Sequence, residues 1–117
     1  MVTLLELHKS CPNIFARTEI YVDGGFTRGT DVLKALALGA TAVGVGRPYL
    51  YSLAYGQAGV EHLTDILKDE LISACKLSGI TDVDHAHPGM INTASLEPLI
   101  RQSEQHPWIE WQPKAKL

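Results

Sequence analysis

The chain has 117 residues and a formal net charge of −3, from 10 Lys+Arg against 13 Asp+Glu, with 45% hydrophobic and 20% charged residues. These values lie within ordinary globular usage and exclude a disordered charged tail, a collagen-like repeat and a cysteine-rich secreted scaffold. There is no basic excess to neutralise phosphates, so a nucleic-acid partner is not expected. The apolar runs are too short for a transmembrane helix, so no membrane partner is expected either. The opening MVTLLELHKSC also lacks the basic start and small-residue cleavage site of a signal peptide.

Residues 3–16 read as a helix end followed by a loop. Leu4, Leu5 and His8 share one face, and Pro12-Asn13 marks the break. The β-branched and aromatic run Glu19–Asp23 predicts a strand that stops at the tight turn Gly24-Gly25. Thr30 as N-cap and Asp31 as first-turn acid predict a helix through Leu38, with Val32, Leu33, Leu36 and Ala40 as its apolar face and Gly39 just past its end. The small apolar run Thr41–Gly46 reads as a second strand, buried on both faces as in a parallel sheet, with Arg47-Pro48 at its C-terminal end.

A long helix is predicted over residues 59–77. Val60, Leu63, Leu67, Leu71, Ala74 and Cys75 form its stripe, and Gly79 closes it. Thr81-x-x-Asp84 resembles a capping box that starts a short helical turn. Ser95 is a candidate cap for another short helix, Leu96 to Arg101. The last stretch, SEQHPWIEWQPKAKL, has two prolines and little periodicity and reads as an extended tail. Cys11 and Cys75 read as reduced, partly buried thiols. His85-x-His87 precedes the turn signal Pro88-Gly89 and reads as loop rather than as a metal site.

Strand–helix–strand with short connections is the crossover unit of a parallel sheet. Both glycine signals, Asp23-Gly24-Gly25 and Gly46-Arg47, fall at strand C-terminal ends, the edge at which α/β folds bind ligands. Glycine there lets a ligand reach backbone N–H groups without interference from a Cβ. Helix N-termini nearby add partial positive charge, and Arg47 supplies a charged planar fork, with Arg28 a second candidate. The pattern points to a phosphate cradle shared by two successive strand–loop–helix units. The plainer alternative has the glycines serving turns alone and Arg47 making a surface ion pair.

The run YVDGGFTRGTDVLKALALGATAVGVGRPYLY resembles the FMN-dependent α-hydroxy-acid dehydrogenase and oxidase family, and the resemblance continues through YGQAGVEHLTDILKDELISACKLSGITDV. It covers roughly residues 3–92, and the tail after Asn92 carries no clear match. The resemblance implies an α/β fold, a TIM barrel with FMN at the C-terminal mouth, of which this chain would supply the last two strand–helix units and flanking helices. Residues 1–92 would be the barrel part and residues 93–117 a C-terminal tail.

On the same resemblance Asp23, Gly24, Gly25, Thr27, Arg28, Gly46 and Arg47 would contact FMN. Thr27 stands where the family usually carries Arg, offering a hydroxyl but no charge, while Arg28 matches a common family Arg. The implied substrate is a small 2-hydroxy acid such as L-lactate or glycolate. Family members are often homo-oligomers, with no interface assignable here.

The family's catalytic His and neighbouring Arg lie in a His-Gly-x-Arg-type motif upstream of the D-G-G loop, and the 22 residues before Asp23 contain none. A TIM barrel needs about 200–250 residues. The expectation is therefore the C-terminal part of a longer flavoenzyme or a truncated product, binding FMN weakly or not at all and turning over no substrate. Two alternatives stand beside it. One is a fragment of another phosphate-binding barrel of the IMP dehydrogenase type, which also carries a D-G-G loop. The other is a non-catalytic half-barrel that serves assembly.

Overall fold

The computed structural model describes residues 1–100. Helix α1 (Val2–Ser10) leads through a 3-10 turn (Pro12–Ala16) into strand β1 (Tyr21–Asp23). Helix α2 (Gly29–Ala37), strand β2 (Ala42–Gly44), helix α3 (Arg47–Ser52) and the long helix α4 (Gly56–Leu77) follow in order. Three short 3-10 turns, at Val83–His85, Pro88–Met90 and Glu97–Leu99, complete the described chain. The segment 103–117 expected to be extended lies outside the described residues, as does Arg101.

The two strands pair in parallel, with Tyr21 opposite Ala42, Val22 opposite Val43 and Asp23 opposite Gly44. The predicted crossover β1–α2–β2 is thus present. Thr41 ties its entry: its N–H donates to the Ile20 carbonyl at 2.7 Å, and its hydroxyl accepts from the Ile20 N–H at 3.0 Å. The ladder is three residues long on each strand, shorter than the sequence runs that announced it. Strand β2 is half-buried throughout rather than buried on both faces. Among the described residues it has one strand neighbour, so part of its surface faces outward.

Helix α2 joins two cores. Ala35 and Leu38 pack with Leu4, Leu5, Phe26 and Ala40 against Val22 and Val43 of the sheet. Leu33, on another side, packs with Ala74 and Cys75 of α4. Burial of Leu38, 1% exposed, is worth about 1.5–3 kcal/mol. Of the expected face Val32, Leu33, Leu36 and Ala40, Leu33 and Ala40 are buried and Val32 and Leu36 half-buried, while Ala35 and Ala37 are buried as well, because the sheet and α1 cover one side and α4 another.

Several local expectations are corrected. Arg28, not Thr30, is the N-cap of α2, and the Asp31 carboxylate reaches back to accept from the Arg28 N–H at 3.1 Å. The cap of the turn after α4 is Asp82, whose carboxylate accepts from the Asp84 N–H at 3.1 Å, in place of Thr81. Leu96 rather than Ser95 precedes the last turn, which shrinks to Glu97–Leu99. Cys75 is buried, but Cys11 is exposed, since it sits where α1 gives way to the 3-10 turn. Gly39 and Gly79 take the helix-ending positions foreseen for them, at φ +94° and +74°.

Candidate functional site

Loop 24–28 leaves β1 through two consecutive left-handed residues, Gly24 at φ +98° and Gly25 at φ +84°. A side chain at either position would strain the backbone, so the Gly-Gly pair is what permits this turn. Asp23 closes the turn, accepting from the Gly24 N–H at 2.7 Å through Oδ1. Phe26, 4% exposed, then plugs the first core and pins the middle of the loop. At the far end, Asp31 Oδ2 accepts from the N–H groups of Thr27 at 3.3 Å and Arg28 at 3.1 Å.

Strand β2 ends beside this loop because the two strands are parallel and in register, Asp23 against Gly44. The chain then runs through Gly46 into α3, where Pro48 sits in the first turn, a position that needs no backbone donor. One open groove of about 570 Å³ results. Six of the seven residues singled out in the sequence meet there: Asp23, Gly24, Gly25, Thr27, Gly46 and Arg47. Gly44, Phe26, Pro48 and Tyr51 complete the wall and were not anticipated. Proline directly after Arg47 was the available signal that a helix, and hence Tyr51, would turn back over the groove.

Arg28 lies elsewhere. Its Nη2 pairs with Glu70 Oε1 of α4 at 2.9 Å, outside the groove lining. The N-terminus of α2 is similarly committed: the Gly29 N–H donates to Glu70 Oε2 at 2.8 Å and the Arg28 N–H to Asp31. Its partial positive charge is thus answered by two carboxylates of the protein itself. The groove keeps Arg47, which is exposed and has no ion-pair partner among the described residues.

A Cβ added at Gly24, Gly25 or Gly46 would meet no atom of this chain within 4 Å. The site therefore offers glycine backbone clear of any Cβ at three positions, one guanidinium, and the Thr27 hydroxyl and Asp23 carboxylate on its lining, with the Gly24 N–H already given to Asp23 and the Thr27 hydroxyl resting on Asp31 Oδ2 at 3.5 Å. That donor set suits a phosphate ester joined to a polyhydroxyl chain: the guanidinium and N–H groups take the phosphate, and the carboxylate accepts from hydroxyls. FMN has this chemistry, and the residues present fit it.

Fold and groove together define a β–α–β unit with an open groove at the C-terminal ends of two parallel strands. The FMN-dependent dehydrogenase family model matches residues 1–93, and the chain belongs to that family. It is 45% identical over 86 residues to the L-lactate dehydrogenase (cytochrome) of Saccharomyces cerevisiae, covering 73% of this chain and 15% of that protein. It is 50% identical over 80 residues to glycolate oxidase 2 of Oryza sativa subsp. indica, covering 68% of this chain and 22% of that one. The chain thus spans less than a quarter of the length of these relatives.

Among solved structures, flavocytochrome b2 with sulfite bound superposes at a TM-score of 0.76 with 36% identity, over 99% of this chain and 31% of that one. A chimera of (S)-mandelate dehydrogenase superposes at 0.66 with 34% identity, over 76% and 24%. These neighbours are TIM-barrel enzymes, so this two-stranded α/β chain shares its fold with part of such a barrel. The family match favours the FMN-dependent reading over the IMP dehydrogenase type.

Proposed function

We propose that this chain is the C-terminal part of an FMN-dependent 2-hydroxy-acid oxidoreductase barrel, and that its groove holds the cofactor's phosphate. Strands β1 and β2 would be the seventh and eighth of the barrel, residues 1–92 the barrel part and residues 93–117 a tail. The carrying observation is the convergence of Gly24-Gly25 and Gly46-Arg47 on one groove at the C-terminal ends of two adjacent parallel strands.

On this reading the Arg47 guanidinium takes the phosphate charge and the glycines admit it to the backbone. Asp23 accepts from the ribityl hydroxyls, and the Thr27 hydroxyl, which rests on Asp31 Oδ2 at a long 3.5 Å, turns to the phosphate as a neutral donor. FMN, when bound, supplies the two-electron acceptor for a 2-hydroxy acid, a substrate class supported by relatives named for L-lactate, glycolate and 2-hydroxyacids. The 117 residues contain no His-Gly-x-Arg motif, and on this reading the chain grips cofactor without supplying the base.

Support for a larger barrel comes from the surface. Tyr21, Leu50 and Tyr51 are 68%, 66% and 74% exposed, and β1 and β2 each have one strand neighbour among the described residues. Large exposed apolar groups of this kind mark surfaces that something else covers. The test is to purify the 117-residue chain, add FMN, and follow flavin absorbance together with oxidation of L-lactate and glycolate. Weak flavin binding without turnover is expected, and turnover by this chain alone would contradict the proposal.

A further inference from the structure

Glu70 lies on α4, 41 residues from Gly29 in sequence, yet its carboxylate meets the start of α2 at two points. Oε2 accepts from the Gly29 N–H at 2.8 Å, and Oε1 pairs with Arg28 Nη2 at 2.9 Å. The contact with Gly29 is partly buried, and the Glu70 side chain is 23% exposed. The approach is close enough that a Cβ on Gly29 would stand 2.3 Å from the Leu71 nitrogen and 2.6 Å from the Glu70 carbonyl carbon. Arg28 and Gly29 are the residues at which loop 24–28 ends and α2 begins. The other end of the loop is held by the pairing of Asp23 with Gly44.

We propose that Glu70 is a positioning residue for the phosphate-binding loop, clamping its exit through Arg28 and Gly29 while itself lying outside the groove. This rests on the reading of the groove as a phosphate site. A loop with two left-handed glycines has many conformations open to it when free. Anchoring both ends selects the one that presents its backbone to the ligand, and so removes an ordering cost from binding. The clamp uses charge-assisted hydrogen bonds, the stronger kind. It also explains why an Arg directly beside the loop is not on the groove wall.

The test uses the ¹⁵N-labelled 117-residue chain with E70A and E70Q, each with and without FMN. Without ligand, E70A is expected to speed amide exchange at Gly29 by about tenfold, whereas E70Q, whose amide oxygen still accepts, keeps most of the protection. E70A is also expected to move the Gly24 and Gly25 resonances, although neither residue touches position 70, and to weaken FMN binding about tenfold, with partial rescue in E70Q. A Glu70 that only stabilised the fold would lower the melting temperature, leave Gly24, Gly25 and FMN affinity unmoved, and overturn the proposal. If FMN shifts no groove resonance in the unsubstituted chain, the phosphate-site reading fails, while the ligand-free spectra still decide the role of Glu70. Should E70A not fold, E70D, one methylene shorter in reach, carries the same comparison.

Discussion

Asp23 and Gly44 face each other across the parallel ladder, and the Asp23 side chain fills the space where a Gly44 side chain would be. A Cβ on Gly44 would lie 3.0 Å from Asp23 Cγ and 3.0 Å from Oδ1. That same Oδ1 accepts from the Gly24 N–H. A side chain at this position of the second strand would therefore press on the carboxylate that closes the first turn of the loop after the other strand.

Gly44→Ala should therefore disturb the loop as well as the sheet. The contact is with the end of an exposed side chain and not with backbone, so the Asp23 carboxylate is expected to yield, at a cost of about 1 kcal/mol or less in urea unfolding. The Gly24 amide resonance should move as its acceptor is displaced. Gly46→Ala is the contrast, since its Cβ would meet nothing of the chain within 4 Å. Its stability should stay within about 0.5 kcal/mol of the parent, with the loss appearing in FMN affinity alone.

Gly29→Ala should be the more damaging glycine substitution. Alanine gains about 1 kcal/mol of helix propensity over glycine. The new methyl would press on backbone atoms of α4 at 2.3 and 2.6 Å, which cannot rotate away. Overpacking then dominates, and a net loss of about 2 kcal/mol or more is expected in urea unfolding.

The two arginines beside the groove should separate cleanly. Arg47 lines it and Arg28 is engaged by Glu70. Arg47→Ala should weaken FMN binding about tenfold or more with little change in melting temperature. Arg28→Ala should weaken it by about threefold at most, because Gly29 still holds one arm of the Glu70 clamp. Titration of FMN fluorescence on both variants provides the measurement.

Glu97 carries a pH dependence. The Lys9 ammonium donates to its carboxylate, and the Thr93 hydroxyl donates at 2.8 Å, holding its pKa below the ordinary glutamate value. A lowered folded-state value means that the contact contributes stability above the ordinary glutamate range and loses it as pH falls through the lowered value. Carboxyl chemical shifts should show the Glu97 midpoint rising toward the ordinary value in Lys9→Ala. The melting difference between the parent and Glu97→Gln, present at neutral pH, should vanish in acid.

Local patterns made much of this fold legible. Gly24-Gly25 after a β-branched run announced the turn, and the apolar repeat from Val60 to Cys75 announced α4. Tertiary facts were not legible in the same way. Gly29 resembles any turn glycine until Glu70 and Leu71 pack against it. Arg28 resembles a phosphate ligand until a carboxylate 42 positions later claims it. Helix α3 is not legible in the same way, because six residues are too few for a 3.6-residue period to stand out, though Pro48 marks its start.

The most direct test of the central claim compares FMN with riboflavin, which differ in the phosphate alone. The two ligands are titrated into the 117-residue chain under the same conditions and followed by flavin fluorescence and by amide shifts at Gly24, Gly25 and Arg47. A phosphate cradle predicts shifts at those residues with FMN and binding at least about tenfold weaker for riboflavin, with the preference abolished by Arg47→Ala. Equal affinities, or an FMN preference that survives Arg47→Ala, would contradict the account.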